Sequence, residues 1–81
     1  MGFTPQSDDG AFGIRAQGVT CRTARRVARA SEPYGPSGEP GDVFRYRVRH
    51  FRCVGRQRDT PLPSVRFRCT RASAVVTFTR T

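Results

Sequence analysis

Residues 43–53 read Val-Phe-Arg-Tyr-Arg-Val-Arg-His-Phe-Arg-Cys, and their alternation of apolar and basic residues is the clearest strand pattern in the chain. Phe44, Tyr46 and Val48 lie at even-numbered positions and alternate with arginines, which is the period of a strand with one buried face. From Phe51 onward the apolar positions are odd-numbered. Because a slip of one residue exchanges the two faces, we expect one long strand from Val43 with a β-bulge or bend near Arg49–His50. The alternative is that the first half of the strand packs on a different surface.

Two more strands are predicted toward the C-terminus. Ser64–Thr70 alternates apolar residues with arginines, and Ala74–Thr81 places its apolar residues at the spacing of a last strand that faces the core. Gly55–Pro63 contains two prolines and is predicted to be a loop, and Arg71–Ser73 is predicted to be a short turn. If the flanking strands pair across that loop, they form an antiparallel sheet.

A strand followed by a helix is predicted toward the N-terminus. Ala11–Val19 alternates apolar and polar residues, and Phe12 belongs to its inward set. Thr20 offers a hydroxyl as N-cap to Cys21–Ala30, which contains no glycine or proline. The apolar residues of this segment share one helical face and its arginines share the other, so we expect an amphipathic helix.

The domain organisation follows from these elements and from the length of 81 residues, which suffices for one small core. Residues 1–10 lack the charged-then-apolar pattern of a signal peptide and are expected to be a flexible N-terminal segment. Residues 11–81 are expected to form a single α+β domain with the order β-α-β-β-β, whose antiparallel sheet is covered on one face by one helix. Within it, residues 31–42 hold three prolines and three glycines and predict an extended loop.

The charge of the chain comes entirely from arginine, since all 15 basic residues are Arg and the formal net charge is +9. Such a charge is typical of proteins that bind nucleic acid or another polyanion, although codon usage in a GC-rich genome also enriches arginine. On the predicted elements, one cluster forms the solvent face of the helix: Arg22, Arg25, Arg26 and Arg29. A second cluster forms the sheet face opposite the helix: Arg45, Arg47, Arg49, Arg52, Arg66 and Arg68.

The second cluster is the stronger candidate for polyanion binding. Arginines on neighbouring strands repel each other, and a bound anion offsets that repulsion. Phe44 and Tyr46 are predicted on the other face of the sheet, so no exposed aromatic residue is expected beside these arginines.

The three cysteines leave three alternatives: one disulfide with a free thiol, three reduced thiols in a cytosolic protein, or a zinc site. If Cys53 lies beside Val65, Cys53 and Cys69 are about 13 Å apart along the strands, whereas a disulfide needs Cα atoms within about 7 Å. We therefore expect Cys21 to pair with Cys53 or Cys69. Zinc would need His50 as fourth ligand, and the C-x2-C spacing of a zinc knuckle is missing.

Catalytic constellations are not evident in the sequence. The six carboxylates fall in predicted loops or in the N-terminal segment, and no acidic residue lies near His50, the single histidine. The cysteines occupy predicted core positions, and no glycine-rich loop joins a strand to a helix. We therefore expect no enzyme activity, no cofactor and no metal.

Four short motifs carry a resemblance that spans most of residues 19–78: residues 20–28 (TCRTARRVA), 51–53 (FRC), 67–69 (FRC) and 76–78 (VTF). Together they resemble small uncharacterised actinobacterial exported or envelope proteins, in which a Cys-led Ala/Arg helix precedes two strand cysteines. The resemblance implies an extracytoplasmic, disulfide-containing domain and carries no catalytic residue.

Two functional hypotheses are consistent with these sequence features. The first expectation is a non-enzymatic, disulfide-stapled module, exported and acting through surface contacts with a macromolecule or an envelope component. The alternative is a protein that binds nucleic acid or another polyanion through the arginine-lined sheet face, which also allows a cytoplasmic location. No stretch approaches the roughly 20 apolar residues of a membrane-spanning helix, and the sequence does not determine the oligomeric state.

Overall fold

The computed structural model describes residues 7–8, 10–36, 39–59 and 63–81. These residues form six strands, one α-helix and one 3-10 turn: β1 (Ser7–Asp8), β2 (Ala11–Gln17), α1 (Cys21–Arg29), the 3-10 turn Glu32–Tyr34, β3 (Val43–Val48), β4 (Phe51–Arg58), β5 (Ser64–Arg71) and β6 (Ala74–Arg80). The strands pair antiparallel in the spatial order β1-β2-β6-β5-β4-β3. A small α+β domain with an antiparallel sheet and one helix is thus confirmed, while the element order differs from the predicted one.

The predicted long strand is in fact a hairpin. Val48 pairs with Phe51 across a two-residue turn, and both turn residues have positive φ, 48° for Arg49 and 67° for His50. Cross-strand partners share a face, so the buried face passes from even positions on β3 to odd positions on β4 without any bulge. The apolar residues do change from even-numbered to odd-numbered positions as the sequence indicates. A reversal of the chain causes this change, and the predicted bulge is wrong.

Strand β4 continues past the predicted loop boundary as far as Arg58. Gly55 lies in this strand opposite Phe67, and a Cβ placed on Gly55 would lie 2.6 Å from Phe67 Cδ1 and closer still to Cε1. Gly55 is therefore a strand glycine that makes room for an aromatic ring. The predicted loop is correspondingly shorter, and residues 60–62 lie outside the described residues.

A bulge does occur, but in β2. Phe12 pairs with Thr79 and Arg15 pairs with Thr77, so β2 uses one residue more than β6 over the same length. Gly13 provides the required backbone with φ of 64°. As a result Phe12 is exposed, contrary to its predicted inward position, while Ile14 is fully buried.

The N-terminal segment and the long loop both contain regular structure. Ser7–Asp8 forms β1 and pairs with the start of β2, so this part of the predicted flexible segment is ordered in the sheet. Residues 1–6 and 9, for which flexibility was also predicted, lie outside the described residues. In the predicted loop 31–42, Glu32–Tyr34 forms a 3-10 turn, and residues 37–38 are not among the described residues.

Helix α1 begins as predicted, because the Thr20 hydroxyl accepts a hydrogen bond from the Thr23 amide at 3.2 Å. Its buried side chains belong to the same core as the inward residues of β2, β4, β5 and β6. That core consists of Ala11, Ile14, Ala16, Ala24, Val27, Ala28, Phe51, Cys53, Val65, Phe67, Cys69, Ala74, Val76 and Phe78. The half-buried Phe44, Tyr46 and Val48 of β3 pack against it.

Polar side chains of two strands form hydrogen bonds with the C-terminal end of α1. Tyr46 Oη donates a hydrogen bond to the Val27 carbonyl at 2.8 Å. Arg80, only 3% exposed, donates from Nη2 to the Ala28 carbonyl at 3.2 Å and from Nε to Ser31 Oγ at 2.6 Å. A cation at this end of a helix also complements the helix dipole. These bonds fix the helix position relative to β3 and β6.

Candidate polyanion-binding surface

Eight exposed arginines occupy outward positions of the strands, and we call this surface the arginine face. It is formed by Arg15 of β2, Arg45 and Arg47 of β3, Arg52, Arg56 and Arg58 of β4, and Arg66 and Arg68 of β5. The inward positions of the same strands are buried or half-buried, so the alternation along each strand separates arginines from core residues. Strands β2 to β6 contain no aspartate or glutamate. The arginine face is therefore uniformly cationic.

Two pairs of these arginines lie directly opposite each other on neighbouring strands. Arg47 pairs with Arg52, and Arg56 pairs with Arg66. Directly opposed residues of an antiparallel pair have their Cβ atoms about 5 Å apart, and like charges at that distance destabilise the sheet. These pairs therefore oppose folding in the absence of a bound anion.

Five of the six predicted polyanion-binding residues lie together on the arginine face: Arg45, Arg47, Arg52, Arg66 and Arg68. Arg49 does not join them, because it is the first residue of the β3–β4 turn. Its carbonyl accepts a hydrogen bond from Arg71 Nη1 at 3.0 Å, which ties this turn to the end of β5. The inclusion of Arg49 in the strand face is corrected accordingly.

Three members of the arginine face were not predicted from the sequence as part of this surface. Arg56 and Arg58 were assigned to a loop, yet they continue the outward positions of β4 beyond Gly55. Their even numbers match that of Arg52, and this periodicity was the signal that could have identified them. Arg15 was predicted to face outward but was not connected with the other arginines, since the pairing of β2 with β6 was not foreseen.

Shallow depressions run between these side chains. One of ≈ 360 Å³ is lined by Arg56, Arg58, Arg66, Phe67, Arg68 and Thr77. A second of ≈ 220 Å³ is lined by Gly13, Arg15, Arg66, Thr77, Phe78 and Thr79. Arg66 and Thr77 border both depressions, which makes the surface continuous from β4 to β2. Guanidinium groups beside threonine hydroxyls offer several hydrogen-bond donors to an anion.

The helix carries the second basic cluster that the sequence predicted. Its four exposed arginines line a depression of ≈ 280 Å³: Arg22, Arg25, Arg26 and Arg29. Arg26 and Arg29 lie in the last turn of α1, where positive charge is favourable next to the negative end of the helix dipole. Part of this cluster therefore has a structural explanation that the arginine face lacks.

The cysteines pair differently from the prediction. Cys53 and Cys69 form a disulfide with a Cα–Cα distance of 4.0 Å, and Cys21 is a half-buried free thiol at the start of α1. The predicted pairing of Cys21 is wrong because the register of β4 and β5 is shifted by four residues, which places Cys53 opposite Cys69. The disulfide also removes two of the four thiol and imidazole groups considered for zinc.

The only histidine lies in the β3–β4 turn and is exposed, so His50 faces solvent at the end of the hairpin. Tyr46 is half-buried, and its hydroxyl lies against the C-terminal end of α1. Burial raises the pKa of its phenol, which keeps it protonated and able to donate to Val27.

Comparisons with known proteins give no relative from which a function could be transferred: no protein family, curated protein or solved structure matches this chain. Among the described residues, no helix has the length and apolar character needed to cross a membrane. The function must therefore be inferred from the surface itself.

Proposed function

We propose that this protein is a non-catalytic binding module that holds an anionic polymer on the arginine face, while helix α1 covers the other face of the sheet. One observation carries the proposal: the outward positions of β2 to β5 present eight exposed arginines and no carboxylate. Arginine binds phosphate and other oxyanions through two parallel hydrogen bonds. A surface of several arginines therefore favours an extended anionic ligand.

The opposed arginine pairs support this function over a merely solvated surface. Codon usage raises the number of arginines in the whole chain, but it does not account for five strands that contain no aspartate or glutamate. Each directly opposed pair, such as Arg56 with Arg66, opposes folding by a few tenths of a kcal/mol or more. A bound anion between the guanidinium groups reverses the sign of that interaction.

The proposed location is extracytoplasmic, in the exported or cell-envelope setting that the sequence resemblance implies. The Cys53–Cys69 disulfide supports it, because disulfides persist in oxidising compartments. In that setting the partner is a macromolecule or an envelope component that presents repeated negative charges along its length.

The proposal of a non-enzymatic module is supported by the state of the reactive side chains. Cys53 and Cys69 are consumed in the disulfide, and His50 is a turn residue at the end of a hairpin. The depressions between the arginines lie on the open side of a sheet, where water has free access, whereas catalytic sites generally exclude water.

A salt titration tests the proposed function. We expect the folded protein to bind fluorescently labelled polyphosphate at low ionic strength, and the logarithm of the binding constant to fall linearly with the logarithm of the salt concentration. The slope reports the number of displaced counterions, and a surface of this size should displace several. No binding at low salt, or binding that does not change with salt, would exclude an electrostatic polyanion site.

A further inference from the structure

Phe12 is an aromatic residue that the fold places on the arginine face. It is 45% exposed although 14 other apolar residues among those that the structure describes form a buried core. Its cross-strand partner is Thr79, whose partner on the next strand is Arg66, so Phe12 lies in the same row as a binding arginine. Sequence periodicity alone predicts this phenylalanine inside the core.

The bulge at Gly13 causes this outward placement. Ala11 and Ile14 are both fully buried, and Phe12 lies between them with an extra residue inserted. Without the inserted residue, the strand alternation that buries Ile14 and Ala16 would also turn Phe12 inward. Bulges of this kind redirect a side chain, and here the redirected side chain is a large aromatic ring.

The surroundings of the ring are suited to a nucleotide. Arg15 follows the bulge and pairs with Thr77, two residues along β6 from Thr79. The ≈ 220 Å³ depression is lined by Gly13, which follows Phe12, by Thr79, its strand partner, and by Thr77, Phe78 and two arginines of the face. A Cβ placed on Gly13 would meet no atom within 4 Å, so the space above the bulge is open. Phe12 thus lies, by sequence and strand register, next to residues with hydroxyl and guanidinium donors.

We infer that the anionic polymer is a single-stranded nucleic acid, with one base stacked on Phe12 and the adjoining phosphates bound by Arg15 and Arg66. This inference rests on the proposed function and specifies its ligand. Single-strand binding proteins combine a cationic surface with aromatic side chains on which bases stack, and such stacking tolerates any base. In a duplex the bases are already stacked on each other, and polyphosphate and sulfated polysaccharides contain no bases.

The test compares two probes on matched variants. The probes are a fluorescently labelled oligothymidine of about 12 nucleotides, within the site sizes of single-strand binders, and labelled polyphosphate. Phe12→Ala removes the ring, and Phe12→Leu keeps an apolar side chain without the flat aromatic surface. Val54→Ala is the control, because Val54 is also 45% exposed on the same face and is not aromatic. Thermal unfolding of each variant verifies that the fold is retained.

We expect Phe12→Ala and Phe12→Leu to weaken oligothymidine binding by about fivefold or more, which corresponds to the loss of one stacked base. Polyphosphate binding should change less than the measurement error in both variants, and Val54→Ala should leave both probes unaffected. Equal losses for both probes, or no loss for oligothymidine, would overturn the inference while the proposed function stands. Failure of the wild-type protein to bind either probe would instead refute the proposed function.

Discussion

Cys53 lies directly opposite Cys69 on neighbouring antiparallel strands, and the two sulfur atoms are bonded. The bond joins β4 and β5, the two strands that carry five of the eight arginines of the arginine face. The two cysteines are separated by 16 positions in the sequence, so the bond closes a short loop. The disulfide therefore holds together a sheet whose outer face is loaded with like charges.

Removal of this bond should destabilise the fold without opening a large cavity. We expect Cys53→Ser with Cys69→Ser to lower the free energy of unfolding by about 3 kcal/mol, the chain-entropy value for a loop of this length. Urea denaturation measures the change, and Cys21→Ser serves as the control with little effect expected. Thiol titration of the unfolded, unreduced wild type should find one thiol, Cys21, and a count of three would contradict the pairing.

Gly55 is expected to tolerate no side chain. Because a Cβ at this position would approach the Phe67 ring to 2.6 Å or less, Gly55→Ala should cost about 1–3 kcal/mol through overpacking. Gly35→Ala is the matched control, since a Cβ there meets nothing within 4 Å.

Phe67→Leu tests whether a clash with the Phe67 ring causes the loss of stability in Gly55→Ala. If the clash is responsible, the double variant Gly55→Ala with Phe67→Leu should be more stable than the sum of the two single changes predicts. Additive losses in chemical denaturation would show that Gly55 serves some other purpose.

The buried phenol of Tyr46 predicts a loss of stability in alkali. Burial raises its pKa, so in the folded state the proton is retained at pH values where the unfolded tyrosine, with a pKa of about 10, has released it. The unfolded state then binds fewer protons, and stability falls as the pH rises above about 10, by up to about 1.4 kcal/mol per pH unit.

Tyr46→Phe separates this effect from other alkaline changes. It should lose about 1 kcal/mol near neutral pH with the hydrogen bond to Val27, yet show a flatter stability profile above pH 10 than its parent. The measurement is urea denaturation at several pH values in a Cys21→Ser background, which prevents thiol exchange with the disulfide. An unchanged slope in Tyr46→Phe would show that another group causes the alkaline loss of stability.

The class of the fold was predictable because the apolar periods of the strands and helix are clear in the sequence. The predicted positions of turns and loops were wrong where the local sequence was ambiguous. Arg49–His50 forms a tight turn without the Asn-Gly type of sequence that usually announces one, so a hairpin resembled a bulged strand. Gly55 was read as the start of a loop because its role depends on a ring 12 residues later in the chain.

The candidate site was predictable to the same extent as the strands that carry it. Alternation along the strands alone predicts five of its arginines. Arg56 and Arg58 were not predicted, because the sequence places the end of β4 before Gly55. The exposed position of Phe12 was hidden because one glycine with positive φ reverses the strand alternation. Only the pairing with β6 reveals that reversal, and pairing between distant strands is not encoded in a local period.

The most direct measurement compares polyphosphate affinity in two double variants of equal net charge. Arg56→Ala with Arg66→Ala removes an opposed pair from the arginine face, and Arg22→Ala with Arg25→Ala removes two exposed arginines from α1. We expect the sheet variant to bind polyphosphate at least about tenfold more weakly, with a salt slope smaller by about 1–2, while the helix variant stays close to wild type. Equal losses in the two variants, or a larger loss in the helix variant, would contradict the assignment of binding to the arginine face.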